Sequence, residues 1–362
     1  MKRQVWTCIV LFALSSCEKE YAGFAASGPL VIYGTTDTVA FRPVLDDFRQ
    51  LHPNITIEYD ELEAGPLVAR FLAEDRSRRP RADLLLSSAM DLQVKLVNDG
   101  YAAPHISEQA AHLPAWARWR DEAFGFTFEP VVMVYNRELM KGRTMPQTRA
   151  ALLADLRLNR PFWQGRIGAY DVAESSVGYF IASQDFRYSS DFGALIEAFR
   201  GAGIEQRSTT AALLDDITSG KLALGYNLLG SYAEARARTT PVLQVVYPID
   251  YTLAVSRTAV LPKSAPHAQS AHVFLEYLLS PRGQQVLTDR NDLNAVRSQG
   301  RPVAKEQLGP IRPIPLGPGL LVYLDRQKRA RMLELFGVAD PPETVIAAPT
   351  AKRSAFHRAM TD

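Results

Sequence analysis

Apolar and polar positions follow one another along this chain in blocks, and the blocks switch between two periods. Leu30 to Tyr33 is a short apolar run closed by the polar turn Gly34-Thr35-Thr36-Asp37. Val39, Phe41, Val44, Leu45, Phe48 and Leu51 then recur close to helical spacing. The run predicts a strand, and the spacing predicts an amphipathic helix. Pro53-Asn54 ends that helix, and Ile55-Thr56-Ile57-Glu58-Tyr59 alternates as a second strand. Pro66 to Glu74 reads as a helix. Ala82 to Leu86 reads as an apolar strand closed by Ser87-Ser88. Met90 to Val97 reads as a helix, with Gly100 placed to cap its C-terminal end. Strands alternating with helices predict a largely parallel sheet covered by helices on both faces.

Gly125 to Phe128 and Val131 to Asn136 read as one long strand interrupted at Glu129-Pro130, which suits a crossing between two lobes. The α/β alternation then restarts. Arg166 to Tyr170 is a strand and Ser176 to Ser183 a helix. Asp191 to Arg200 and Thr209 to Ser219 are helices, and Leu222 to Asn227 is a strand. Val242 to Tyr247 is the next apolar run, and Thr252 to Leu261 another strand, with a second crossing expected near Pro248. The predicted organisation is a first lobe from residues 29–127 and 248–308 and a second lobe from 128–247. A helical segment at 309–338 with a basic face and a mobile tail at 339–362 follow.

The amino terminus has the layout of an export signal over residues 1–16. Lys2 and Arg3 precede an apolar run from Val5 to Leu14 that is too short to span a bilayer. Leu14-Ser15-Ser16-Cys17 resembles the bacterial lipobox, which makes Cys17 the expected lipidation site and residues 17–28 a tether. The alternative is ordinary cleavage near Gly23-Phe24-Ala25-Ala26, with Cys17 lost in the leader. The expected location is the periplasm. Lys and Arg number 41 against 39 Asp and Glu. That near balance argues against nucleic acid as a partner, because binding phosphate backbones takes a basic face. Cys8 and Cys17 are the two cysteines, so the folded body has no disulfide, thiolate metal site or cysteine nucleophile.

Several stretches carry a family resemblance. Leu30 to Asp37 is similar to the opening strand and turn of the solute-binding proteins of bacterial ABC importers. Ala82 to Ser88 resembles their third strand, and Tyr247-Pro248-Ile249-Asp250-Tyr251 their return crossing. The helix Pro266 to Gln284, ending Leu279-Ser280-Pro281-Arg282-Gly283-Gln284, carries the most specific likeness. The nearest cluster comprises ferric-iron, phosphonate and sugar-phosphate binders of the type II periplasmic fold. The resemblance implies a two-lobed α/β protein, each lobe a mixed sheet flanked by helices, joined by two crossing segments. It also implies a monomer that captures a small solute and hands it to ABC-importer membrane subunits or to a membrane sensor kinase.

Ligands of open α/β sheets sit beyond the carboxyl ends of strands, against helix starts that favour anions. Thr35-Thr36, Ser87-Ser88 and Ser175-Ser176 place hydroxyls at such turns, where helix capping is the competing explanation. Tyr226-Asn227 closes a strand and is a candidate polar contact or a packed tyrosine. Asp250 and Tyr251 at the expected crossing, and Tyr135 on the other crossing strand, complete the candidate set. Together they predict a site for a phosphate-, phosphonate- or carboxylate-bearing solute, with no cofactor and no metal.

The ferric-iron binders of the resembling cluster use two adjacent tyrosines. Here Leu228-Leu229-Gly230-Ser231-Tyr232 follows Asn227, without such a pair. The six histidines, His52, His105, His112, His267, His272 and His357, show no metal-ligand spacing. No nucleophile elbow, phosphate loop or zinc-protease motif is present, so an enzyme is not expected. The alternatives are a sensory binding module and a phosphate-ester hydrolase, for which Ser88 would be the nucleophile.

Overall fold

A computed structural model describes residues 28–290, 293–298 and 309–338. The predicted leader, Cys17, the tether up to residue 27 and the tail at 339–362 lie outside the described residues. Two mixed sheets organise the chain. The first runs in the order Ile55–Glu61, Gly28–Gly34, Leu84–Ser87, Thr258–Pro262, Ala123–Gly125, Arg118–Trp119. Gly28–Gly34 is parallel to both of its neighbours, and Thr258–Pro262 runs antiparallel to Leu84–Ser87. The second sheet runs Ile311–Pro313, Thr252–Val255, Glu129–Asn136, Leu224–Leu229, Ile167–Tyr170, Glu205–Arg207.

The apolar runs become strands because both faces of each sheet are covered. Leu30 and Ile32 pack with Phe41, Val44, Leu45 and Phe48 of the helix Thr38–Leu51 on one face. Val31 and Tyr33 point the other way, toward Leu67 and Phe71 of the helix Ala64–Arg76. This two-residue alternation, facing helices buried at three- and four-residue spacing, is the pattern that the sequence predicts. The second lobe repeats the scheme with Leu152, Trp163, Leu195, Phe199 and Leu333 on its outer face.

The chain changes sheet twice through adjoining strands, and a third time where Ile311–Pro313 re-enters the second sheet. It leaves the first at Gly125 and enters the second at Glu129. The return is at Ser256-Arg257, between Thr252–Val255 and Thr258–Pro262, not near Pro248. The stretch expected to be one strand is therefore two, in different sheets. The flanking strands are alike, apolar and fully buried, and only the polar pair Ser256-Arg257 marks the switch. The segment from Ile311 onward joins the second sheet through Ile311–Pro313. Its helix Arg326–Leu335 packs on the second lobe's helix Phe192–Gly201. No helix among the described residues is long and apolar enough to cross a membrane.

Candidate functional site

The two crossings meet in a buried ion pair. Arg257 Nε donates to Glu129 Oε1 at 2.9 Å, with the two side chains 2% and 0% exposed. Arg257 Nη1 donates to Thr36 Oγ1 at 2.9 Å, and the Arg257 backbone N–H donates to Thr127 Oγ1 at 2.8 Å. Glu129 Oε2 in turn accepts a bond from Ser231 of the second lobe. One guanidinium–carboxylate pair thus ties together both crossings and both lobes. Burial by itself would lower the Arg257 pKa, but Tyr232 and Glu129 outweigh it and the net shift is upward. The guanidinium is fixed as a cation. Its Nη2 has no hydrogen-bond partner among the described residues.

Arg257 lines a cleft of about 240 Å³ between the lobes. The first lobe contributes Thr35, Asp37, Glu61, Glu63 and Ser88. The second contributes Tyr170, Ser208, Thr209, Thr210 and Tyr232. Each comes from a strand end or a helix start, as expected where an α/β sheet opens.

Local packing sets these positions. The turn after the first strand passes over Tyr59, whose hydroxyl donates to the Thr36 carbonyl at 2.6 Å. A Cβ on Gly34 would fall 2.2 Å from the Tyr59 oxygen, so only glycine allows that approach. Ser88 N–H donates to Thr35 Oγ1 at 3.2 Å, which joins the two hydroxyl turns. Thr209 caps the helix Thr210–Thr218 by accepting from Ala212 N–H, leaving that helix start facing the cleft. A Cβ on Gly178 would lie 2.2 Å from Tyr170 Cβ, so its absence lets the helix Ser176–Tyr188 sit against Tyr170. Tyr170 Oη bonds Thr210 Oγ1 at 2.5 Å, and Tyr232 donates to Asp37 across the cleft.

The residues expected from sequence divide into three groups. Thr35 and Ser88 line the cleft, and Thr36 stands behind it as a ligand of Arg257. Ser87, Ser175 and Ser176 lie close by. Ser87 accepts from Ala89 N–H, and Ser175 caps its helix by accepting from Gly178 N–H. Ser176 Oγ faces Gly65 of the opposite lobe, 3.4 Å from where a Cβ would stand, while its neighbour Val177 lines the cleft. The other five sit elsewhere, which corrects the expectation that they line the cleft. Tyr135 is core and donates to the Pro146 carbonyl at 2.7 Å. Tyr226, Asn227, Asp250 and Tyr251 belong to a buried network around Arg149 and Asp185. Tyr226 Oη and Asn227 Nδ2 reach Asp185 Oδ2 at 2.5 and 2.9 Å, and Tyr251 donates to Asp185 Oδ1. Arg149 Nε holds Asp185 at 2.8 Å and its Nη1 holds Asp250 at 3.0 Å. Asn227 has a φ of 61°, where the ladder between Gly225 and Leu228 loses register. That break accompanies the contact of Asn227 with Asp185 in the second lobe's interior.

Sequence reasoning missed Asp37, Glu61, Glu63, Tyr170, Ser208-Thr209-Thr210, Tyr232 and Arg257. Two signals were available. Ser208-Thr209-Thr210 repeats the hydroxyl-before-helix pattern of the predicted turns, and Ser256-Arg257 is a polar interruption in an apolar run. Among the described residues, no three His, Cys, Asp or Glu side chains converge as metal ligands.

The chain was compared with known proteins. The family model for bacterial extracellular solute-binding proteins matches residues 34–285. Among solved structures, the substrate-binding protein of an ABC transporter from Agrobacterium tumefaciens is 35% identical, with a TM-score of 0.79. That match covers 87% of this chain and 95% of the other. AfuA from Actinobacillus pleuropneumoniae, solved with fructose-6-phosphate, is 18% identical with a TM-score of 0.69, covering 85% and 97%. Iron-bound HitA from Pseudomonas aeruginosa is 17% identical with a TM-score of 0.67, covering 86% and 99%. The last two share the fold. No curated protein matches the sequence. With two sheets linked by chain crossings around a cleft, and with these matches, the chain belongs to the bacterial extracellular solute-binding protein family.

Proposed function

We propose that this protein captures a small oxyanion-bearing solute in the cleft between its lobes and delivers it to an ABC importer. The reading rests on Arg257, which both lines the cleft and has an unpartnered Nη2. A buried N–H without an acceptor costs about 1–3 kcal/mol, and a phosphate, phosphonate or carboxylate oxygen would supply the acceptor. The hydroxyls of Thr35, Ser88 and Thr210 and the start of the helix Thr210–Thr218 add uncharged donors around the same space. A volume of about 240 Å³ suits a solute below drug size.

Ferric ion is disfavoured. The phenols of Tyr170 and Tyr232 are each pushed up to about 12, chiefly by burial, which opposes the phenolate form that a hard trivalent ion takes. Because Arg257 is bonded to both crossings, a solute on Nη2 touches the hinge itself. Contacts made to both lobes shift the balance toward the closed form, which is the signal the importer reads. Bacterial members of the family work outside the cytoplasm, and we assign the periplasm to this one, tethered through lipid on Cys17.

A thermal-shift screen of small phosphates, phosphonates, carboxylates, neutral sugars and polyamines tests the assignment. A specific oxyanion at a hundred times its Kd should stabilise the protein by about 2.7 kcal/mol. Stabilisation by neutral sugars or polyamines, with none by any oxyanion, would overturn it. Cys17→Ala should release the protein from membranes, and unchanged membrane retention would contradict the tether.

A further inference from the structure

The cleft that holds Arg257 is acidic on its first-lobe wall. Asp37, Glu61 and Glu63 all line it, and Arg257 is the single cation among its lining residues. Three carboxylates against one guanidinium is a poor surround for a plain anion. Their ordinary work does not account for all three. Asp37 and Glu63 occupy the N-cap positions of Thr38–Leu51 and Ala64–Arg76, where an acid normally accepts a backbone N–H, yet neither side chain caps its helix. Glu61 does the capping for Asp37, accepting from Thr38 N–H and Thr38 Oγ1, both at 2.7 Å. Glu63 is pushed upward by partial burial, then by Asp37 and Glu61, so it feels those two as like charges. They do not converge tightly enough to bind a metal ion. An ammonium group carried on an organic solute needs no such convergent ligand set.

We propose that the solute is a small dipolar ion whose oxyanion meets Arg257 Nη2 at the hinge and whose ammonium group meets the Asp37–Glu61–Glu63 wall. This rests on the oxyanion reading above and adds the second pole. The wall belongs to the first lobe, and Tyr232 of the second lobe closes onto it through Asp37. The ammonium end therefore sits where the lobes meet, and its charge offsets a repulsion that the cleft otherwise keeps. An uncharged group there leaves that repulsion in place.

The test titrates the full mature protein with 2-aminoethyl phosphate, its hydroxyl analogue 2-hydroxyethyl phosphate, and 2-aminoethanol. The matching phosphonate and carboxylate series with two to four carbons between the poles are included. In the best series, the dipolar compound should bind at least tenfold tighter than either single-pole analogue. Glu63→Gln, at a residue that caps nothing, should cut the dipolar compound's affinity about tenfold and narrow its lead over the hydroxyl analogue. Equal binding of the dipolar and hydroxyl compounds overturns the proposal and leaves the oxyanion reading standing. Binding of the amine as tight as that of the dipolar compound overturns both, as does absence of binding throughout the panel.

Discussion

Two buried arginines in this molecule have nearly the same surroundings and quite different places. Arg257 and Arg149 are each paired with a carboxylate of 0% exposure, at 2.9 and 2.8 Å, and each leaves Nη2 without a partner. Arg149 is shut inside the second lobe. Its guanidinium carbon lies 3.8 Å over the ring of Tyr251, and its partner Asp185 is also held by Tyr226, Asn227 and Tyr251. Arg257 stands where the chain crosses between sheets and borders the cleft, with the Tyr232 ring 5.3 Å away. Burial, charge pairing and even a spare N–H do not distinguish a structural arginine from a binding one. Position separates these two, because Arg257 lines the cleft and Arg149 does not, and the proposed binding role rests on that difference.

Breaking the Arg149 centre should give the largest effect. Arg149→Ala leaves Asp185 buried without its counter-charge, which typically costs about 3–5 kcal/mol. The denaturant midpoint should fall accordingly, while the folded fraction keeps its solute affinity. A change in affinity at constant stability would erase the contrast. Arg257→Lys keeps a cation for Glu129 but removes the planar fork. It should weaken solute binding ten- to a hundredfold, equivalent to about 1.5–3 kcal/mol for a charged hydrogen bond, with a smaller loss of stability than Arg149→Ala. Calorimetric titration and thermal unfolding together check both halves of that statement.

Asp91 sharpens the comparison as a third buried acid, without a guanidinium bonded to it. It is 2% exposed, and burial pushes its carboxyl up to about 7 against the pull of Leu92 N–H and of Arg329. The folded state keeps a proton that the unfolded chain releases near pH 4. Stability from this group is therefore highest below about pH 4, falls as pH rises toward 7, and stays low above it. Asp91→Asn should gain about 1–2 kcal/mol at pH 8 relative to its effect at pH 4. Equal effects at both pH values would contradict the buried-acid account. The smallest effect is expected from Tyr232→Phe, which removes the bond to Asp37 across the cleft. A loss of about 0.5–1 kcal/mol in solute binding is expected, with unfolding unchanged. A drop in stability without loss of binding would make Tyr232 a core residue instead.

Much of the fold was legible because each strand and helix carries its own period. The helix Thr38–Leu51 buries Phe41, Val44, Leu45 and Phe48, the residues whose spacing predicts it. The return crossing was missed, although the polar pair Ser256-Arg257 interrupts the apolar run there. Leu253, Ala254 and Val255 and then Ala259, Val260 and Leu261 are apolar in both sheets, and only pairing partners tell them apart. For the site, the rule of hydroxyls before helices led to Thr35 and Ser88, which line the cleft. It could not find Arg257, whose partner Thr36 lies 221 residues away in sequence. Tyr226 and Asn227 misled for a related reason. A strand end predicts nearness to the cleft but not the face, and a register break with Asn227 in the left-handed region accompanies their turn toward Asp185.

The central claim is that the solute's oxyanion sits on Arg257 at the hinge. A crystal structure of the protein with the tightest-binding solute from the screen tests it most directly. The account predicts a solute oxygen within hydrogen-bonding distance of Arg257 Nη2, between Thr35, Ser88 and Thr210. A solute bound in that cleft with Nη2 still unpartnered, or bound anywhere outside it, would contradict the account.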